Sequence, residues 1–196
     1  MPVTYTNRKN KLYYLCRGVT KKGKPHYYFS GEPKGEPVEQ IPDGYEIRES
    51  VNGFVSLAKK RPVQILPGER AAIEAAIEQH PKARNYRIDV KGKQITVYER
   101  TGPDAEELSP MLRKMVEVSL GSKANLQTFL DETARYAPVM RFTLSDQDTR
   151  TFQTERWCYR GRIDGWIDIG PNEPLHLLAR RFIPLLGTHA LYDVLW

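Results

Sequence analysis

Four histidines, two cysteines and a few carboxylate–lysine pairings are the residues of this 196-residue chain that could carry chemistry. His26 falls in an aromatic run, His80 precedes a proline, and His176 and His189 stand thirteen residues apart. None forms a His-x-x-x-His pair, the two-histidine spacing of a metal site on a helix. Surface or capping roles are expected for all four, and no metal is expected.

Cys16 and Cys158 are distant in sequence and belong to no Cys-x-x-Cys motif. This disfavours a disulfide framework and a zinc ribbon, and reduced, buried thiols are the expectation. Asp89-Val90-Lys91 puts a carboxylate and a lysine two apart on a strand, the pairing a metal-dependent nuclease uses to hold a cation and stabilise charge. The same Lys91-Gly92 is also what a hairpin turn requires, so the nuclease is a remote alternative. Asp164 and Asp168 flank Trp166 on one strand face and read as solvated edge carboxylates. No Gly-x-Gly-x-x-Gly, Gly-x-x-x-x-Gly-Lys-[Ser/Thr] or Gly-x-Ser-x-Gly occurs, so nucleotide-driven and α/β-hydrolase chemistry have no support. No cofactor is expected, and the chain reads as a binding or accessory protein more readily than as an enzyme.

The pattern with most content is electrostatic. Arg8, Lys9, Lys11, Arg17, Lys21, Lys22 and Lys24 fall in residues 1–30, which contain no Asp or Glu, while the rest of the chain nearly balances. Tyr5, Tyr13, Tyr14, Tyr27, Tyr28 and Phe29 are interleaved with these bases. Polarised charge of this kind is the footprint of a surface that meets a polyanion. The seven bases are the candidates to neutralise phosphates of DNA or RNA without reading sequence, and Tyr13 and Tyr28 the candidates to stack on bases. Over about thirty residues the pattern is similar to the small basic antiparallel sheets of integrase arm-type DNA-binding domains, a likeness that rests on no defining motif. Two other readings stand beside it: a solvated face whose lysines keep a hairpin tip soluble, and a protein–protein adaptor that uses its aromatic strands.

These residues need elements to hold them. Leu12–Cys16 and His26–Phe29 read as strands around the turn Lys21-Lys22-Gly23-Lys24-Pro25. Alternation puts Lys11, Tyr13, Leu15 and Arg17 on a half-exposed face and Leu12, Tyr14 and Cys16 on the core face. A second hairpin joins residues 45–49 to 54–57 through Asn52-Gly53, closed by Lys59-Lys60-Arg61-Pro62. A third joins residues 86–90 to 94–98 through Lys91-Gly92. Between them, Ala72, Ile73, Ala76 and Ile77 recur at helical spacing from Pro67 to His80-Pro81.

Ser109-Pro110 starts a helix with an apolar stripe at Leu112, Met115, Val116 and Leu120, ended by Gly121. Ser122 restarts a second helix through Leu126, Phe129, Leu130 and Thr133-Ala134 that ends before Pro138. Strands follow over 139–169, turning at Asp146-Gln147-Asp148 and Arg160-Gly161-Arg162. A last helix is capped at Asn172, and Leu195-Trp196 is expected to pack onto the body.

The fold class is therefore α+β: antiparallel hairpins at the N-terminus, an αββ middle, then a helical hairpin, a β-meander and C-terminal helices. Three pieces are expected: a basic antiparallel β unit at 1–62, an αββ unit at 63–100 packed with it, and an α+β unit at 101–196. Their best boundary is Thr101-Gly102-Pro103. Leu12–Cys16 is too short and too tyrosine-rich for a signal peptide, and no apolar run is long enough to cross a membrane. The expected setting is cytoplasmic, with no membrane partner.

Overall fold

The computed structural model describes residues 1–102, 108, 110–160 and 163–193. Among the sequence expectations, Pro103, Ser109, the Gly161-Arg162 turn, Leu195-Trp196 and the side chains of Leu112 and Leu120 lie outside what is described. The chain is α+β, with antiparallel hairpins at the N-terminus and helices at the C-terminus. It divides into two compact units, Met1–Arg61 and Pro62–Trp196. Among the described residues no helix is long and apolar enough to cross a membrane.

The first unit is all β. Strands β1 (Thr4–Thr6), β2 (Leu12–Val19) and β3 (Pro25–Ser30) form an antiparallel sheet in that order, with β4 (Glu36–Pro37) also on β2. β5 (Tyr45–Glu49) and β6 (Val55–Lys59) make a separate hairpin. Gly23 and Gly53 turn the two long hairpins at φ of 76° and 79°, conformations that strain any residue with a Cβ.

Cross-strand neighbours share a face, and the register pairs Tyr5 with Tyr13, Leu15 with Phe29 and Arg17 with Tyr27. The β5–β6 hairpin covers this face. Tyr5 donates its hydroxyl hydrogen bond to Glu49 Oε2 at 3.0 Å, and the Tyr27 and Tyr45 rings lie 6.5 Å apart. The face expected to be half-exposed thus carries a fully buried Leu15. Leu12, expected in the core, is 45% exposed, while Cys16 on its face is buried. Alternation specifies two faces; only the second hairpin decides which one is covered.

The second unit is a six-stranded antiparallel sheet with helices. β7 (Tyr86–Lys91), β8 (Gln94–Thr101), β9 (Arg135–Asp146), β10 (Thr151–Arg160) and β11 (Ile163–Asp168) run in the order β11-β10-β9-β8-β7, and β12 (Glu173–Pro174) also pairs with β10. α1 (Pro67–Glu78) and α4 (Leu175–Phe182) pack on each other beside the sheet. Ile73, Ile77, Leu178 and Phe182 from these helices meet Ile95, Val97, Met140, Phe142 and Phe152 from the strands. Phe142, Phe152 and Phe182 are fully buried, each ring contributing about 2–3 kcal/mol of transfer free energy.

β8 and β9 pair as far as Thr101 with Arg135, so the strands on either side of the expected boundary at Thr101-Gly102 belong to one sheet. α2 (Pro110–Leu120) and α3 (Lys123–Thr133) form the helical hairpin between them. Ser122 caps α3, its Oγ accepting from the Asn125 N–H at 3.1 Å. That helix stops at Thr133, with Ala134 at its C-terminal cap position. Pro138 then lies inside β9 opposite Tyr98, where the register shifts; a proline without an N–H fits a strand at such a bulge. On α2, Met111, Met115 and Val118 are exposed, so Met115 does not belong to a packed stripe. The last long helix is capped at Pro174, not Asn172.

Candidate nucleic-acid interface

Unit Met1–Arg61 holds twelve bases against six acids, which is the whole formal charge of +6; Pro62–Trp196 balances. The fold then splits six of the seven N-terminal bases between the two ends of β2, with Arg17 inside the strand. Arg8, Lys9 and Lys11 lie in the loop before it, and Lys21, Lys22 and Lys24 in the turn after it. Ten residues of extended chain separate Lys11 from Lys21, about 30 Å at a strand's rise. That is several Debye lengths at physiological salt, so the two clusters act on a polyanion independently.

At the far end, Lys21, Lys22 and Lys24 are exposed. The turn is closed by Thr20 N–H to Lys24 O and Gly23 N–H to Thr20 O, both at 2.9 Å. Among the described residues no carboxylate lies within 4.0 Å of these three lysines. Arg17 stands 3.8 Å from Glu36 and is directly opposite Tyr27. The Tyr27 ring meets Tyr45, and Tyr45 pairs with Lys59. The exposed run Lys59-Lys60-Arg61 thus joins this end of the unit. In the sequence that run reads as punctuation after a hairpin; only the packing of β6 on β3 brings it beside the tip.

At the near end, one buried amide organises the loop. Asn7 is 4% exposed. Its Oδ1 accepts from the N–H groups of Lys9 at 3.0 Å and Lys11 at 2.9 Å, and its Nδ2 donates to Gly53 O at 2.7 Å. Asn10 takes a positive φ of 55° to close the loop, a conformation asparagine tolerates well. The loop is therefore fastened to the β5–β6 turn.

Arg8 is fastened as well. Its Nε donates to Glu49 Oε1 at 2.8 Å, its backbone N–H to the same oxygen at 3.0 Å, and Nη1 to Val51 O at 3.3 Å. Burial alone would raise the Glu49 pKa, but the Arg8 N–H, the Tyr5 hydroxyl and the Arg8 guanidinium outweigh it and hold the carboxyl below its usual range. The Lys9 stem runs along Gly53: a Cβ there would lie 3.4 Å from its Cγ and Cδ.

The two stacking candidates lie on opposite faces of the sheet. Tyr13 is half-buried on the face that the second hairpin covers. Tyr28, also half-buried, donates its hydroxyl to Lys34 O and lies close over Gly18 and Gly35. The next residue after the Gly53 turn, Phe54, is 73% exposed.

Several other residues whose types could do chemistry are buried or bonded within the fold. Cys16 and Cys158 are free and buried. His80 Nδ1 accepts from the Lys82 N–H at 3.1 Å, and its Nε2 lies 3.2 Å from Leu186 O. Glu155, opposite Asp168, binds Arg141 through both oxygens at 2.5 and 2.8 Å, and that guanidinium stacks 4.4 Å from the Trp166 ring centroid. Asp168 accepts from Gln153 at 3.0 Å. Asp89 sits on β7 opposite Thr96. Among the described residues, no three His, Cys, Asp or Glu side chains are grouped to hold a metal ion. Comparison with protein-family models, curated proteins and solved structures finds no match to this chain.

Proposed function

We propose that this protein is a non-enzymatic nucleic-acid-binding accessory protein, with unit Met1–Arg61 making the contact mainly to phosphates. The observation that carries the reading is the segregation of charge: that unit holds every net positive charge, and its exposed Lys21, Lys22 and Lys24 are compensated by no neighbouring carboxylate among the described residues. Lysine ammonium groups on a hairpin tip are compact point charges with no fixed fork, suited to phosphates and not to base edges. Binding then releases condensed counterions and weakens steeply with salt. Lys59, Lys60 and Arg61 extend the surface at the same end. Two buried free thiols suit a reducing compartment, so we place the protein in the cytoplasm.

Fluorescence anisotropy with labelled DNA and RNA oligonucleotides across a salt series tests this. Changing Lys21, Lys22 and Lys24 together to Ala should weaken binding and shallow the salt slope by up to about three, one for each phosphate no longer neutralised. No binding at low salt, or an unchanged slope in the triple variant, would sink the proposal.

One observation favours the adaptor reading in its place. Met111, Met115 and Val118 stand exposed on α2, three large apolar side chains spaced along one helix. If Met115→Glu with Val118→Glu abolishes capture of a specific protein from nuclease-treated extract while the lysine variant binds nucleic acid normally, the adaptor reading prevails.

A further inference from the structure

We infer that the near end of the first unit holds an unpaired nucleobase on Phe54, which makes single-stranded nucleic acid the preferred ligand class. The inference rests on the nucleic-acid reading above and assigns it a substrate.

Single strands are bound without sequence preference where an exposed aromatic face lies beside cations that follow the backbone. Among the described Tyr, Phe and Trp residues of unit Met1–Arg61, Phe54 is the one that is exposed; Tyr5, Tyr13, Tyr14, Tyr27, Tyr28, Phe29 and Tyr45 are all half-buried. Its backbone is held, because Phe54 N–H donates to Ser50 Oγ at 3.1 Å and Phe54 O accepts from Ser50 N–H at 2.9 Å. A phenyl ring exposed in water on a fixed turn forgoes the transfer free energy that burial would recover.

The cations beside it are placed by Asn7. The same amide that binds the Lys9 and Lys11 N–H groups also binds Gly53 O, so loop and turn are one body. Lys9 runs along Gly53, the residue before Phe54, and Lys11 is exposed with no carboxylate within 4.0 Å among the described residues. Arg8 is matched by Glu49 and contributes position more than charge. The result is a ring with two lysines on a common, pre-organised support. A base can lie on the ring while the flanking phosphates meet Lys9 and Lys11. The tip around Lys21–Lys24 has no exposed Tyr, Phe or Trp among the described residues, and its lysines suit a duplex or a single strand equally. A protein ligand would find little apolar surface here, Phe54 and the 45%-exposed Leu12 with two lysines beside them, which is poor chemistry for a protein hot spot.

The test compares a labelled single-stranded DNA with the duplex it forms with its complement, using the full chain. Phe54→Ala should weaken single-strand binding about tenfold and leave duplex binding within about twofold, whereas Phe54→Tyr should retain both. Phe54→Trp adds a tryptophan to a unit whose wild-type sequence has none, since Trp157, Trp166 and Trp196 all lie beyond residue 61. Its emission should be quenched by the single strand and not by the duplex. Equal loss on both ligands, no loss, or no quenching overturns the stacking site while leaving phosphate binding intact. Loss of a captured protein in Phe54→Ala with single-strand binding unchanged overturns it in favour of a protein contact. A wild-type chain that binds neither DNA form at low salt removes the function itself, a result no Phe54 variant can mimic.

Discussion

Arg150 grips both carboxylate oxygens of Glu69, its Nε at 2.8 Å and its Nη2 at 2.5 Å, across eighty-one residues of sequence. Arg150 sits at a positive φ of 53° in the turn between β9 and β10. Glu69 lies in the first turn of α1 and also accepts from the Leu66 N–H at 2.8 Å, satisfying a donor the helix start leaves open. One carboxylate thus caps a helix and ties it to the turn between β9 and β10.

Removing that carboxylate leaves a half-buried guanidinium and an uncapped N–H. Glu69→Ala should lower the stability of the second unit by about 2 kcal/mol, with Arg150→Ala costing less because the cap survives. Urea melts of both variants and the double variant measure it. A strictly additive double variant would show that the two side chains are not coupled.

Acid should loosen the near loop of the first unit. The Glu49 pKa is lowered in the folded protein although burial pushes the other way, because the Arg8 N–H, the Tyr5 hydroxyl and the Arg8 guanidinium together favour the ionised form. A depressed carboxyl contributes stability that is present above its unfolded value and is lost as pH falls through the folded one. The protection factors of the Arg8 and Lys9 amides, taken relative to the intrinsic exchange rate at each pH, should fall with acid in the wild type, and that fall should be absent in Glu49→Gln.

Base acts on the second unit with the opposite sign. The Tyr86 hydroxyl donates to Glu99 Oε1 at 3.0 Å; burial first, then the Glu99 charge, raise its pKa far above the ordinary tyrosine value. A raised tyrosine contributes stability present below its unfolded pKa and lost progressively as pH climbs above it toward the folded one. Unfolding should ease above roughly pH 10, and Tyr86→Phe should flatten that limb of the stability curve. An alkaline limb unchanged in the variant would assign it to other groups.

The hairpins are legible in sequence because their turns carry their own chemistry. Lys22-Gly23, Asn52-Gly53 and Lys91-Gly92 place glycine where φ is positive, whatever surrounds them. α1 is legible from the spacing of Ile73 and Ile77, both buried. What sequence misses is set at longer range. Leu15 and Leu12 exchange their expected environments because a separate hairpin covers one face and not the other. Pro138 reads locally as a breaker, yet it sits at a bulge within a strand that begins at Arg135. In the candidate site, the charged residues are visible from type alone. Asn7 and Phe54 are not, since a polar loop residue and a strand aromatic acquire their roles only when the β1–β2 loop meets the β5–β6 turn. Exposure is the deciding property for Phe54, and sequence carries little of it.

The neutrality of Pro62–Trp196 has a colloidal consequence. Copies of this chain repel one another only through the charge on the first unit, since the second contributes no net charge at neutral pH. A polyanion bound to the first unit cancels that repulsion as well as occupying the site. Solutions of the complex should therefore be least soluble near charge-matched mixing ratios and clear again on either side.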